Sequence, residues 1–202
     1  MIIAMNTIAA FDFDGTLTDR DSLLPFLFFT AGTSKTLLKL LSALPVLAAF
    51  TVGLESRQTT KEYVLTKFFR GIPEHDLQAL AQVFAAEELD KYVSQRGLER
   101  IRWHLIQGHR CMLISASLEL YLRPWALAKG FSEVIASILQ HDKEGHVTGK
   151  LVGKNCWGTE KIRRLQEIAG PKENYQLYAY GDSQGDKELL ALADHPFYRT
   201  LS

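Results

Sequence analysis

The sequence predicts an α/β protein: a doubly wound, mostly parallel sheet core with an all-α domain inserted after the first strand. Three observations predict it. Thr7–Phe13 (TIAAFDF) is a short β-rich apolar run that meets Asp14 and Gly15, which reads as a buried strand followed by a turn. From about Asp19 to Arg96 there is almost no strand signal. After Gly97, β-rich and helical runs alternate, as they do when a parallel sheet is covered on both faces. The expected division is 1–18 and 97–202 for a Rossmann-like core and 19–96 for the helical domain.

Within the insert, Leu23–Phe29, Leu37–Leu54, Thr60–Phe69 and Glu74–Val93 read as helices, punctuated by Gly32, Gly53 and the Gly71–Pro73 turn. Glu74–Asp90 is rich in strong helix formers, and Leu77, Leu80, Ala81, Phe84 and Leu89 recur near the helical period. In the core, Leu98–Gln107 is a helix closed by Gly108, Arg110–Ser115 a strand, and Leu118–Lys129 a helix ended by Gly130. Val134–Leu139 reads as a strand, with an Asp142–Gly145 turn into a second short one at His146–Gly149. Thr159–Ala169 is a helix, Gln176–Tyr180 a strand, Lys187–Ala193 a helix and Phe197–Leu201 a closing strand.

At 202 residues, 47% hydrophobic and 23% charged, the chain has the apolar mass for a real core and is not disordered. Its 23 basic and 23 acidic residues cancel, which excludes binding to nucleic acid by bulk charge. Cys111 and Cys156 are too few for a disulfide scaffold and lack zinc spacing. The start of the chain has no basic region and runs into Asp12 and Asp14, so a cleaved signal is not expected and a cytoplasmic location is. Leu40–Leu54 is uncharged but only 15 residues long and contains Pro45. A spanning helix wants about 20 apolar residues. The run is therefore expected to be a buried helix or one lying on a membrane surface.

In open α/β sheets, ligands sit outside the carboxyl ends of the strands. The predicted strands end there in Asp12 and Asp14, in Ser115, and in Asp182, while Lys161 opens the helix before the last of these. Singly, each has an ordinary structural reading: an Asp-x-Asp-Gly turn is often just a capped turn, and Ser115 suits a helix cap. A calcium loop does not fit, because no further ligands come after Gly15 at loop spacing. Taken in order, FDFDGTL (Phe11–Leu17), LIS (Leu113–Ser115), Lys161 and YGDSQGD (Tyr180–Asp186) resemble the four motifs of the haloacid dehalogenase-like hydrolase superfamily. The helical block between the first two resembles the cap of its phosphoserine-phosphatase-like branch.

That resemblance implies a Mg²⁺-dependent phosphatase that cleaves a phosphate monoester through an aspartyl-phosphate intermediate. Asp12 is then the nucleophile and Asp14 the general acid and base. Ser115, the backbone at Ala116 and Lys161 hold the phosphate oxygens. The metal set is Asp12, Asp14 through its main-chain carbonyl, Asp182, and Asp186 as support. An acid at Asp14, rather than the threonine of ATPase relatives, favours turnover over a persistent phosphoenzyme. Lys154 is the rival of Lys161, which is preferred because it begins a helix. A non-catalytic phosphate-binding module and a phosphoryl transferase stay open as alternatives.

The insert bears on substrate. Asp21 lies where phosphoserine phosphatases carry an amine-reading glutamate, and it equally suits a helix cap before Leu23. Arg57, Lys61, Lys67 and Arg70 are cations for a substrate carboxylate or second phosphate, Arg57 being the chosen one. The apolar Ser22–Leu54 stretch, flanked within by Lys35 and Lys39, resembles the arrangement in phosphatidylglycerophosphatase C lipid phosphatases. The substrate is accordingly a small phosphorylated metabolite or a lipid phosphate, the latter with peripheral contact at the inner membrane face. The same stretch suits a cap core or a dimer face, so monomer and homodimer are both open. The six histidines read as surface or turn residues and the three tryptophans as packing.

Overall fold

The computed structural model describes residues 6–201; the first five residues of the predicted core segment, and Ser202, lie outside them. β1 (Asn6–Phe11) alternates in the manner of a strand buried on both sides. Ile8 and Ala10 enter one apolar cluster, Ala9 and Phe11 the other. The chain then runs through α1 (Leu23–Ala31), α2 (Thr33–Thr51), α3 (Arg57–Phe69) and α4 (Glu74–Glu87) before α5 (Gln95–Ile106) returns it to the sheet. β2 (Arg110–Leu118), α6 (Glu119–Ala128) and β3 (Glu133–Ser137) come next, then an antiparallel hairpin of β4 (Leu139–His141) and β5 (Val147–Leu151). α7 (Thr159–Ala169), β6 (Tyr175–Gly181), α8 (Lys187–Leu192) and β7 (His195–Tyr198) complete the core.

The main sheet has the order β3-β2-β1-β6-β7, with every pair parallel. α5 and α6 cover one face with Ile101, Tyr121, Leu122 and Trp125; α7 and α8 cover the other with Leu165 and Leu189. The winding reverses between β1 and β6, which leaves a crevice outside their carboxyl ends. The insert leaves and rejoins the core at one place. Thr18 and Val93 form an antiparallel bridge, Asp19 N donates to Tyr92 O (3.3 Å), and Ser94 N donates to Leu17 O (2.8 Å).

Several boundaries differ from the sequence reading, each for a tertiary reason. Leu118 ends β2 instead of opening a helix, and pairs with Ser137 of β3. The predicted Val134–Leu139 strand breaks at Ile138, its first part joining the main sheet and its end the hairpin. The predicted Glu74–Val93 helix stops at Glu87 and continues as a single turn at Leu89–Lys91. There Asp90 takes hydrogen bonds from Trp125 Nε1 and Lys129 Nζ, both at 2.7 Å. The last strand comes earlier than expected, because Arg199 turns into the left-handed region (φ 55°). His104 is fully buried against Tyr180 rather than on the surface.

α2 departs most. It runs unbroken through Pro45 and is, by length and composition, long and apolar enough to cross a membrane. Only 11% of its most apolar window is buried, so it is not a core helix. Thr36 and Ala43 face inward, while Leu37, Leu38, Leu41 and Leu44 are 50–68% exposed.

α3 packs on β5, and Gly149 is what permits the contact. It has φ +83°, and a β-carbon there would fall on the Thr66 backbone. Gly149→Ala should therefore destabilise the protein by about 1–3 kcal/mol, the usual cost of overpacking. A urea unfolding midpoint equal to that of the wild type would contradict this close approach.

Candidate active site

The turn after β1 organises the crevice. Asp12 N donates to Tyr180 O (3.0 Å), so the parallel pairing fixes the nucleophile candidate at the end of the sheet. Phe13 is buried between Asp12 and Asp14, and the two acids line one cavity. Gly15 (φ +79°) has no β-carbon to collide with the Asp182 carboxylate, which occupies that place. Thr16 Oγ1 lies 3.3 Å from Asp12 Oδ2 and 3.2 Å from Asp182 Oδ1, joining the two loops.

Lys161 enters from the first turn of α7, which starts at Gly158 with φ 62°. Its three ammonium donors are all used: Asp12 Oδ1 and Asp186 Oδ1 at 2.6 Å each, and Ile114 O at 2.9 Å. Burial alone would push this ammonium down, but Asp12 and Asp186 together hold it above its ordinary range. Lys154 is exposed, and its carbonyl accepts from Arg164 at 2.6 Å. Asp186 is fully buried, and its second oxygen accepts from Asp182 N, Ser183 N and Ser183 Oγ at 3.3, 3.1 and 2.7 Å. It shapes the loop that presents Asp182.

One carboxylate oxygen from each of Asp12, Asp182 and Asp186 lies within 4.8 Å of the other two. Burial raises the Asp12 carboxyl to about 7, with Lys161 opposing and Asp186 adding to the rise. Burial also raises Asp182, partly offset by the Thr16 hydroxyl. Three carboxylates around one lysine leave an excess negative charge, and hard oxygens suit Mg²⁺. The donor set fits such an ion. The Asp14 side chain lies outside this trio, and the contribution expected of Asp14 is its main-chain carbonyl. The Asp14 carboxylate accepts from Ser22 N at 2.7 Å and from Ser117 Oγ. Burial and the neighbouring Asp21 raise it to about 6.

Beside these groups lies a cavity of about 380 Å³. Asp12, Asp14, Asp21, Ser115, Ala116 and Lys161 line it, with Arg57 and Lys61 from α3 opposite. Ser115 Oγ accepts from Ser117 N (3.0 Å), which leaves its own O–H to donate. The Ala116 carbonyl is taken by Lys61 Nζ and by Ser137 Oγ (2.8 Å). Asp21 is exposed and caps α1, accepting from Leu23 N and Leu24 N at 2.9 and 3.1 Å. Arg57 stacks between Phe50 and Trp157, at 5.5 and 5.1 Å from the ring centres. Lys67 and Arg70 do not line the cavity. Lys61 also reaches Asn155 Oδ1 at 3.2 Å; burial lowers it to about 8, against Asp14 and Asp21.

Sequence reasoning missed Ser22, Ser117, Asn155 and Trp157. Ser117 alone had a local signal, two residues beyond Ser115. Cys156 is buried and pushed up to about 11, chiefly by desolvation, so it offers no thiolate.

The sequence model of the haloacid dehalogenase-like hydrolases matches residues 9–191. The chain belongs to this family. It is 35% identical over 198 residues to Protein CicA of Caulobacter vibrioides (strain NA1000 / CB15N), covering 95% of this chain and 85% of that protein. A crystal structure of a protein of unknown function from Bordetella pertussis Tohama I superposes with a TM-score of 0.83 at 23% identity, covering 96% of this chain and 89% of that one. A substrate-bound phosphoserine phosphatase superposes at 0.63 with 14% identity, covering 96% and 85%. The haloacid dehalogenase-like core and helical insert therefore share the fold of the phosphoserine-phosphatase-like branch.

Lys161 is the buried cation on which Asp12 and Asp186 depend. Lys161→Met should cost about 3–5 kcal/mol in metal-free buffer, because it leaves two carboxylates buried and unpaired. Urea unfolding in EDTA measures it, and a loss below about 1 kcal/mol would mean that the carboxylates are relieved otherwise.

Proposed function

We propose that this haloacid dehalogenase-like hydrolase is a Mg²⁺-dependent phosphomonoesterase that works through an aspartyl-phosphate on Asp12. One observation carries the reading: Asp12, gripped by Lys161, shares a cavity with Asp14, gripped by Ser22 and Ser117. The two carboxylates are thereby split into a nucleophile and a proton carrier.

In this mechanism an Asp12 oxygen attacks phosphorus, the ester P–O bond breaks, and the leaving oxygen takes the Asp14 proton. Asp14, now ionised, takes a proton from water, whose oxygen attacks the phosphorylated Asp12 at phosphorus and restores the free carboxylate. Inorganic phosphate leaves. Lys161 favours the ionised form of Asp12 against the pull of burial, and the Ser115 hydroxyl and the backbone at Ala116 hold phosphate oxygens. Asp12, Asp182 and the Asp14 carbonyl, with Asp186 in support, would hold Mg²⁺, which would supply the positive charge that lets a carboxylate approach a phosphate dianion.

A carboxyl near 6 is an effective acid at neutral pH, and its neutral form is lost as pH rises through that value. With an alkyl phosphate, kcat/KM should therefore pass through a maximum between about pH 6 and 7, rising as Asp12 ionises and falling as Asp14 loses its proton. Asp14→Asn should lower it by about 10²–10⁴. With p-nitrophenyl phosphate, whose leaving group needs no proton, the loss in the first step should be far smaller. Equal losses in kcat/KM, which reports the first step alone, on both esters would remove Asp14 from the leaving-group step. Asp12→Asn should abolish phosphate release while keeping the fold; unchanged turnover would refute the nucleophile.

The leaving group is read by a mixed wall. Leu23, Leu47, Phe50 and Val64 are apolar, and Arg57 and Lys61 are cationic. This suits an amphiphilic phosphomonoester with a further negative group. A second reading, phosphatidylglycerophosphatase-like action on a lipid phosphate at a membrane surface, is favoured by α2. That helix supplies Leu47 and Phe50 to the cavity, turns Leu37, Leu38, Leu41 and Leu44 outward, and carries Lys35 and Lys39 with no acid. Flotation with anionic vesicles, alongside phosphate release from lipid and soluble esters, separates the two. Binding with a lipid preference supports the second reading, and neither leaves the soluble ester.

A further inference from the structure

A second cavity, of about 660 Å³, shares no lining residue with the substrate cavity. Arg96, Arg100 and Trp103 of α5 form one side, Arg199, Thr200 and Leu201 after β7 another, and Gly15, Thr16 and Gly181 add to the wall beside them. Arg20, Arg110, Arg123, Arg163 and Arg164 are each ion-paired. Arg96, Arg100 and Arg199 are not, among the described residues. Glu99 also lines the cavity, but its carboxylate accepts from Gln95 Nε2 at 3.0 Å instead of an arginine.

Among the described residues, aromatic rings and backbone hold these guanidiniums rather than carboxylate ion pairs, with Asp182 near enough to Arg199 to feel its charge. Arg100 lies over the rings of Trp103, Tyr180 and Phe197, at 4.7, 5.6 and 5.2 Å from their centres. Its Nε is buried and has no hydrogen-bond partner. Arg199 is the one non-glycine residue with positive φ among the described residues, at 55°. Its main-chain N donates to Gly181 O (2.9 Å) and its Nε to Asp182 O (3.1 Å). Such backbone strain persists where surrounding structure holds it and clusters at binding sites. Clustered positive charge in a concavity focuses an attractive potential for anions. The guanidinium fork matches phosphate and carboxylate oxygens two at a time.

We propose that this cavity is a second anion-binding site, for a ligand bearing at least two phosphate or carboxylate groups. A single charge would satisfy one of the three arginines and leave the others as they are. The ligand would lie against the segment that carries Asp182, yet apart from Asp12 and Ser115.

The test is calorimetric titration of the full chain with tripolyphosphate, in metal-free buffer at low salt. Binding to the wild type should weaken by at least about tenfold in Arg96→Glu, the loss of one charge-assisted contact. It should weaken further in the R96Q/R100Q double variant. Arg57→Gln, in the substrate cavity, should bind within about twofold of the wild type. Because Arg96 is exposed, Arg96→Glu decides the matter even if the double variant fails to fold. Titration of Arg96→Glu like the wild type, or loss of binding in Arg57→Gln instead, would overturn the proposal. The readout needs neither metal nor turnover, so its failure leaves the phosphomonoesterase reading standing.

Discussion

A single buried ammonium holds the functional end of this fold together. Lys161 spends every donor on Asp12, Asp186 and the Ile114 carbonyl, and so ties the ends of β1 and β2 to the loop after β6. Buried ion pairs are seldom a net gain in stability, because desolvation consumes most of the attraction. This one is better understood as a constraint of position. It favours the ionised form of an acid that burial pulls toward protonation, and it fixes which oxygen of Asp12 faces the ammonium. The sheet beneath is correspondingly rigid, with β1 and β6 paired along their whole length.

The same constraint explains why the two acids of one short turn behave differently. Phe13 enters the core, and the acids on either side of it take different partners. Asp12 meets a buried cation; Asp14 is held by hydroxyl and amide donors beside another acid, Asp21. The fold thus produces two protonation behaviours from neighbouring copies of one residue type by choosing what each one faces.

Most of the core, and the acids at its strand ends, were legible in the sequence because the signals are local. A buried parallel strand is a short apolar run, and the next residue along falls at the crevice. Lys161 was legible through the helix it opens. What stayed hidden depends on contacts distant in sequence. Lys61 meets Ala116 and Asn155 across 55 and 94 residues, and His104 is buried by Tyr180 across 76. The break at Ile138 was invisible because both halves are equally apolar and only the sheet's geometry separates them. For α2, composition gave its greasiness but not its orientation. Hydrophobicity says that a helix seeks cover, and nothing local says that its long outer face goes without.

The paired crossing at Thr18 and Val93 has a consequence for how such a protein can vary. Because the insert departs and returns through two segments hydrogen-bonded side by side, its ends are only about 5 Å apart. From the sheet's standpoint the whole helical block is topologically a long hairpin loop. Its length and content can be exchanged without moving a strand, at a closure entropy that grows only logarithmically. Chemistry and recognition are thus separately heritable, the first written into the sheet and the second into a graft.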